Sequence, residues 1–427
     1  AGLGALVDAV QLFELDDGAP KVTGVDTLRA FSARAPGGWA FVQHHWESAG
    51  LQWDAGLRAQ VWTAGSQGVS PAARAAARLA GVPLDPPRAQ WTWSPRLAFS
   101  YPVSARDAFS LAYTRIHQPP DREFLYESRV LAYDRRPLGN TSLVPAEVIS
   151  WQVALKHLFA PPWALQLGLF YRDVYGEVGV RYDTPVAYAY RPRYDSVEDG
   201  HAMGFEVALL AAGPPGGAAA RGGELSLRYT YLNAWGSLST PDGWPYGPAL
   251  GTRPQPVSDH PLDWDRRHVF TLDAAWRRPH AWTLAWVTQV ASGAPWTPAV
   301  SYTDPVLGPV FTSDLAAVNS ARLPWSEQSS LSARYEPPRL HGLRLLLEVR
   351  NVFDFRGPLL ASLPGYPNPV INSLYDEYAG YRTVTGLGGG GFWNDPAGDG
   401  RNVWTPVHDP RLDARPRLVR LGIEAGL

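Results

Sequence analysis

Cysteine is absent from this chain of 427 residues, and methionine occurs once. That excludes a disulfide framework and fits a protein built for an oxidising compartment without one. Charge is scarce as well: Asp, Glu, Lys and Arg make up 18%, against roughly a quarter in ordinary soluble proteins. The net balance of −2 argues against a nucleic-acid partner. No window holds the ~18–20 uninterrupted apolar residues that a transmembrane helix needs. The chain opens on Ala1, without Met and without a charged and apolar signal, so a signal peptide has been removed or the chain is a fragment.

What is present is aromatic and alternating. Trp, Tyr and Phe reach 12% of the sequence, with 18 Trp. The stretch Asp265–Pro298 shows the pattern best. Phe270, Leu272, Ala274 and Trp276 alternate with Thr271, Asp273, Ala275 and Arg277. After a short turn, Trp282, Leu284, Trp286 and Val290 alternate with Thr283, Ala285, Gln289 and Ala291. Period-2 alternation gives each strand one apolar and one polar face. Trp at the strand ends suits a sheet whose apolar side meets lipid and whose rings sit at the membrane–water boundary.

Every long apolar pattern in the chain has this period, and fourteen strands are predicted. They are Leu3–Glu14, Trp39–Glu47, Leu51–Trp62, Gln90–Tyr101, Asp107–His117, Val148–Phe159, Trp163–Tyr175, Met203–Leu210, Glu224–Trp235, the two strands of the hairpin above, Ser329–Tyr335, Leu343–Phe353 and Leu418–Leu427. Short turns alternate with long connections, such as Glu14 to Trp39, Tyr175 to Met203 and Asp354 to Arg417. Long structureless loops are rare in compact soluble domains. Short turns on one side and long loops on the other are the arrangement of transmembrane barrels, with the long loops extracellular. The fold class is therefore all-β, a transmembrane antiparallel β-barrel.

The faces agree from strand to strand. Trp163, Leu165, Leu167, Leu169 and Tyr171 oppose Gln166, Gly168 and Arg172; Leu225, Leu227, Tyr229 and Tyr231 oppose Ser226, Arg228 and Thr230. Arg58, Arg96, Arg334, Arg344, Arg350 and Arg420 fall on the polar side with Asp54, Glu206, Asp273, Glu348 and Glu424. Charges need water or partners, so that side is expected to be a hydrated or plugged lumen. Its mixed charge selects no ion sign.

Six segments resemble TonB-dependent receptors. Trp39–Trp46 is similar to an early barrel hairpin of that family, with His44 in place of the usual Asp. Asn140–His157 resembles its N-x-x-L-x-P-E lead into a strand, with Ala146 inserted before Glu147. Met203–Val207 resembles its G-x-E-V strand. Asp265–His268 with Gly293–Pro298 resembles its D-R-R-H and S-G-x-P-x-T-P pair, and Glu348–Asp354 its penultimate-strand E-x-x-N-x-F-D. The resemblance implies an outer-membrane location and an importer of a nutrient too large for porins (a chelate, glycan or peptide). It also implies a plug domain and the TonB complex as partners. No segment resembles the plug or the TonB box, and fourteen strands fall short of the family's roughly 22. Residues 1–427 are thus expected to be a partial barrel. A first strand with Asp8 among Leu6, Val10 and Leu12 makes a poor seam with Leu418–Leu427, so the two should not pair. A passive fourteen-stranded channel and a surface adhesin are the alternatives.

No cofactor and no enzyme chemistry are expected. Asp395–Gly400 departs from a calcium loop, with Ala397 at the third position and Pro406 where the bidentate Glu belongs. His44 and His45 are adjacent on a strand and face opposite sides. Gly386–Gly391 lacks the Lys and the strand–helix setting of a phosphate loop. For substrate binding, the long loops offer Trp235, Trp244, Tyr246, Tyr375, Tyr378 and Tyr381. Their rings suit stacking on a sugar, peptide or chelate, and equally an aromatic girdle.

Overall fold

The computed structural model describes residues 2–15, 28–64, 88–126, 139–182, 192–212, 222–237, 259–278, 282–296, 299–304, 308–313, 317–339, 342–357 and 416–425. Its strands are β1 (Gly2–Leu15), β2 (Leu28–Ser48), β3 (Leu51–Trp62), β4 (Gln90–Pro102), β5 (Asp107–Gln118), β6 (Ala146–Leu158), β7 (Trp163–Tyr182), β8 (Pro192–Ala212) and β9 (Gly222–Gly236). There follow β10 (His260–Pro261), β11 (His268–Arg278), β12 (Trp282–Ala291), β13 (Pro295–Trp296), β14 (Ala299–Asp304), β15 (Gly308–Ser313), β16 (Ala321–Arg322), β17 (Ser326–Tyr335), β18 (Leu343–Arg350) and β19 (Leu418–Ala425). One helix of five residues, α1 (Arg122–Tyr126), lies between β5 and β6.

Fourteen of these strands form one antiparallel sheet in chain order, β1 to β9, then β11, β12, β17, β18 and β19. Each pairs with its sequence neighbour, as hairpin after hairpin of a meandering wall requires. Among the described residues β1 pairs only with β2 and β19 only with β18, so the sheet has two edges and no seam ladder.

Residues directly opposite in an antiparallel ladder share a face, and the register carries one phase across the wall. Leu167 stands between Leu155 and Val207, and Leu169 between Val153 and Phe205. Farther on, Phe270 stands between Tyr229 and Val290. The polar face keeps the same phase: Thr271 faces Arg228, Ser332 faces Glu348, and Glu348 faces Arg420. A single sheet cannot cover its own apolar face. Leu169 is 62% exposed, Ile423 74% and Leu421 83%, and each such side chain loses about 1.5–3 kcal/mol of burial in water. The apolar side therefore needs another medium. Aromatics mark its limits. Trp46, Trp163, Trp276 and Trp282 are exposed near the short turns, and Trp151, Tyr171 and Trp325 toward the other end. Several rings stack between strands, Trp46 on Trp53 at 5.7 Å and Trp282 on Tyr335 at 4.4 Å.

The expected long connections are corrected in three places. β2 begins at Leu28 rather than Trp39, and β7 and β8 continue to Tyr182 and from Pro192. These strands run on beyond the apolar band as two-stranded ribbons. In the β7–β8 extension Val180 and Tyr194 pack against loop residues rather than lipid, so the lipid-facing period that marks the wall does not continue there. The connection from Ser292 to Ser329 is also not structureless, since it pairs β13 with β16 and β14 with β15.

Candidate functional site

Side chains hidden from solvent gather at the long-loop end of the wall. Trp62 closes β3, Phe124 and Leu125 come from α1, Leu143 from the lead into β6, and Val180 and Tyr194 from the β7–β8 extension. Leu125 and Leu143 are each only 1% exposed. The loop is pinned by polar contacts as well. Asn140 Nδ2 donates to the Tyr194 carbonyl at 2.9 Å, and Gln90 Nε2 to the Leu143 carbonyl at 2.7 Å. Ser196 Oγ accepts from the Val144 amide at 3.0 Å. Glu147 then pairs with Arg115 at 2.7 Å across the β5–β6 ladder. The N-x-x-L-x-P-E segment is thus a fastening, with Asn140, Leu143 and Glu147 each holding a different strand.

A second hub is Asp265, whose side chain is 0% exposed. Arg322 binds both its carboxylate and its carbonyl, Arg267 Nε lies 3.4 Å from Oδ2, and the Ala234 amide donates to Oδ1 at 3.1 Å. Asn319 Nδ2 donates to the Pro261 carbonyl and to Asp263 Oδ1, each at 2.8 Å. The D-R-R-H and G-A-P-W segments meet here through Arg322, which also reaches the Gly293 carbonyl at 3.4 Å. Gly293 has no room for a side chain, because a Cβ would lie 1.7 Å from the Leu323 carbonyl oxygen. A buried carboxylate persists only with such partners. Sequence reading found Asp265 by motif but missed Arg322, which no motif contains.

The β7–β8 extension holds two facing carboxylates. Glu177 stands opposite Glu198 at a register irregularity that follows Val174. Glu198 is 8% exposed, and Gly179 leaves its side chain space, since a Cβ there would lie 2.3 Å from Glu198 Cγ. Burial pushes both carboxyls above the ordinary range, Glu177 also through repulsion by Glu198 and Asp199. At the end of β18, Asn351 takes a left-handed conformation, and its side chain bonds Phe355 at both amide and carbonyl. Asp354 accepts from the Arg417 amide at 3.3 Å, holding the chain just before β19.

Of the proposed binding aromatics, Trp235 lies within β9 rather than in a loop, opposite His201 and Pro261. Its indole N–H donates to Asn233 at 2.7 Å. Trp244, Tyr246, Tyr375, Tyr378 and Tyr381 lie outside the described residues, as do Gly386–Gly391 and Asp395–Gly400. His44 and His45 face opposite sides as expected, His44 opposite Ala55 and His45 opposite Asp54, which its Nδ1 meets at 3.0 Å.

The sequence profile of the TonB-dependent receptor-like β-barrel matches residues 6–352. The chain belongs to this family. No curated protein sequence matches it. Among solved structures, the pyoverdine outer-membrane receptor FpvA of Pseudomonas aeruginosa PAO1 superposes with a TM-score of 0.53 at 13% identity, covering 95% of this chain and 44% of that one. The outer-membrane transporter YddB of Escherichia coli gives 0.53 at 9%, over 99% of this chain and 59% of that one. The siderophore receptor PiuA of Acinetobacter baumannii gives 0.51 at 14%, over 80% and 43%. The chain of this TonB-dependent-receptor barrel therefore spans between 43% and 59% of those three receptors. Its apolar face is the lipid side of the wall, its polar face the lumen, and the fastened loops form the outer rim.

Proposed function

We propose that this wall belongs to an energised outer-membrane importer of a nutrient too large for porins, in the chelate, glycan or peptide class. Membership in the receptor family carries this reading. Matched structures named for siderophore receptors and an outer-membrane transporter agree with it. Fourteen strands with two unpaired edges support the view that further strands complete the barrel, since bare backbone in lipid costs several kcal/mol per group. In the proposed cycle a plug domain fills the lumen and the outer rim binds solute. Work delivered by the TonB complex on the plug then weakens that binding and releases solute inward, because only a differential interaction shifts populations between bound states. The aromatic residues Trp235, Trp244, Tyr246, Tyr375, Tyr378 and Tyr381 are the proposed outer contacts.

Solute uptake by cells producing the protein, with and without TonB, tests the reading. Uptake that stops on TonB deletion while surface binding persists is expected. Uptake unchanged by the deletion would identify a passive channel, and binding without uptake an adhesin.

A further inference from the structure

The lumen charges are mixed in number but not in place. On the last three wall strands every arginine has a carboxylate partner, the four sharing Glu336, Glu348 and Glu424. Arg334 meets Glu336 at 2.8 Å, Arg344 meets Glu336 at 3.1 Å and Glu424 at 3.5 Å. Arg350 meets Glu348 at 2.6 Å, and Arg420 meets Glu348 at 3.6 Å. In the middle of the wall, Arg228 and Asp273 are 3.9 Å apart.

β3 to β7 differ. Arg58, Arg96, Lys156 and Arg172 are exposed on the lumen face and have no ion-pair partner among the described residues. Aromatic rings hold two of them instead: Arg58 lies 5.0 Å from the Trp39 ring centre and Arg172 5.6 Å from that of Phe170. A ring face anchors a guanidinium without cancelling its charge. The register then aligns the groups. Arg96 faces Thr114, Thr114 faces Ser150, and Ser150 faces Arg172, one row across four strands. At ~4.8 Å per strand the two arginines stand about 14 Å apart, with two hydroxyl side chains between them. Arg58, two residues beyond Gly56 in the same row, extends it toward the outer rim. Arg58, Arg96 and Thr114 line a concavity of about 760 Å³. Asp54 lines it too, its Oδ1 3.0 Å from His45 Nδ1, so the cationic groups there outnumber the one carboxylate.

We propose that this row is a binding track for a polyanionic solute whose carboxylate or phosphate groups are spread over about 14 Å. The proposal rests on the reading of the polar face as an importer's lumen and narrows its substrate to anionic members of the classes named above. Guanidinium forks suit carboxylate and phosphate oxygens alike, and the Thr114 hydroxyl accepts or donates between them.

The test uses single thiols, which the cysteine-free sequence permits. Thr114→Cys and Ser332→Cys are made in the protein and labelled in outer-membrane vesicles with anionic sulfonatoethyl and cationic trimethylammonioethyl methanethiosulfonates. Both sites are on the lumen face, Ser332 within the ion-paired network. The anionic-to-cationic rate ratio at Thr114 should exceed that at Ser332 at least about fivefold, from unit charges acting through water at ~8 Å. Arg96→Gln with Arg172→Gln should remove most of the difference. Inorganic tripolyphosphate at constant ionic strength should slow labelling at Thr114 several-fold and leave Ser332 unchanged. Equal ratios at the two sites overturn the proposal, and so does a higher ratio without protection. These outcomes need neither TonB nor uptake, so a failed track leaves the importer reading to its own test. Thiols that no reagent reaches at either site overturn the track, which needs a lumen face open to solute.

Discussion

Asp265→Ala probes the outer rim at its most buried charge. The substitution removes the carboxylate that Arg322 and Arg267 share and the acceptor of the Ala234 amide. Breaking a buried pair by deleting one partner costs ~3–5 kcal/mol. Arg322 keeps 27% of its side-chain surface exposed, so water recovers part of the loss and the lower end, about 3 kcal/mol, is expected. The effect should be local, because the ladders of the wall do not pass through Asp265. Hydrogen exchange on the receptor in lipid nanodiscs reads it directly. The amides of Leu262 and Leu323, which donate to the Ala234 and Ala294 carbonyls at 3.0 and 2.9 Å, should exchange roughly a hundredfold faster, at ~1.4 kcal/mol per tenfold. Amides of β6 and β7 should be unchanged. Asp265→Asn keeps an acceptor for Ala234 and should lose less. Exchange at Leu262 and Leu323 that stays near the unsubstituted rate would refute the hub.

Three further outcomes follow from the same geometry. Leu167→Arg, on the lipid face, should cost ~2–4 kcal/mol of folding free energy at mid-bilayer, and Gln166→Arg, on the lumen face, much less; urea titrations in vesicles compare them. Gly293→Ala should cost ~1–3 kcal/mol, because its Cβ would displace the Leu323 carbonyl; faster exchange at Leu323 reports it. The β7–β8 extension should be steadier in acid. Glu177 and Glu198 have folded pKa values raised above the ordinary 4.5, so the folded ribbon holds protons more tightly than the unfolded chain. Their contribution is full below about 4.5 and is lost as pH rises through the raised values. Exchange protection at residues 177–182 and 193–198, corrected for intrinsic rates, should therefore increase on acidification from pH 7, and Glu198→Gln should flatten the change.

Much of the wall was legible in the amino-acid order. Alternation such as Trp163 to Tyr171 against Gln166 and Arg172 is imposed by a sheet with lipid on one face, and the register kept that phase through Leu155, Leu167 and Val207. Strand number and chain-order pairing follow from the rhythm of short turns. The rim was less legible because different forces build it. Arg322 meets Asp265 across 57 residues, and no local pattern marks such a pair. Glu177 and Glu198 fall in the connection expected from Tyr175 to Met203, and only the ribbon sets them face to face. The quoted motifs do find the rim, yet their side chains fasten loops there. Asn140, Asp265 and Asn351 each satisfy the backbone or partners of a neighbouring segment. Charge sign was hidden for the same reason. Counting gives a mixed lumen, and only pairing distances separate the ion-paired strands from Arg58, Arg96, Lys156 and Arg172.

The central claim is that, from Trp163 to Tyr171 in β7, odd-numbered positions meet lipid and even-numbered ones meet the lumen. Nitroxides placed singly from Trp163 to Tyr171 and from Met203 to Ala211, in bilayers, measure this by collision with oxygen, which partitions into lipid, and with a water-soluble nickel chelate. Oxygen collisions should peak at Leu165, Leu167 and Leu169 and at their partners Leu209, Val207 and Phe205. Nickel collisions should peak at Gln166 and Gly168 and at their partners Ala208 and Glu206. Accessibility without a two-residue period, or peaks in opposite phase on paired residues of β7 and β8, would contradict the account.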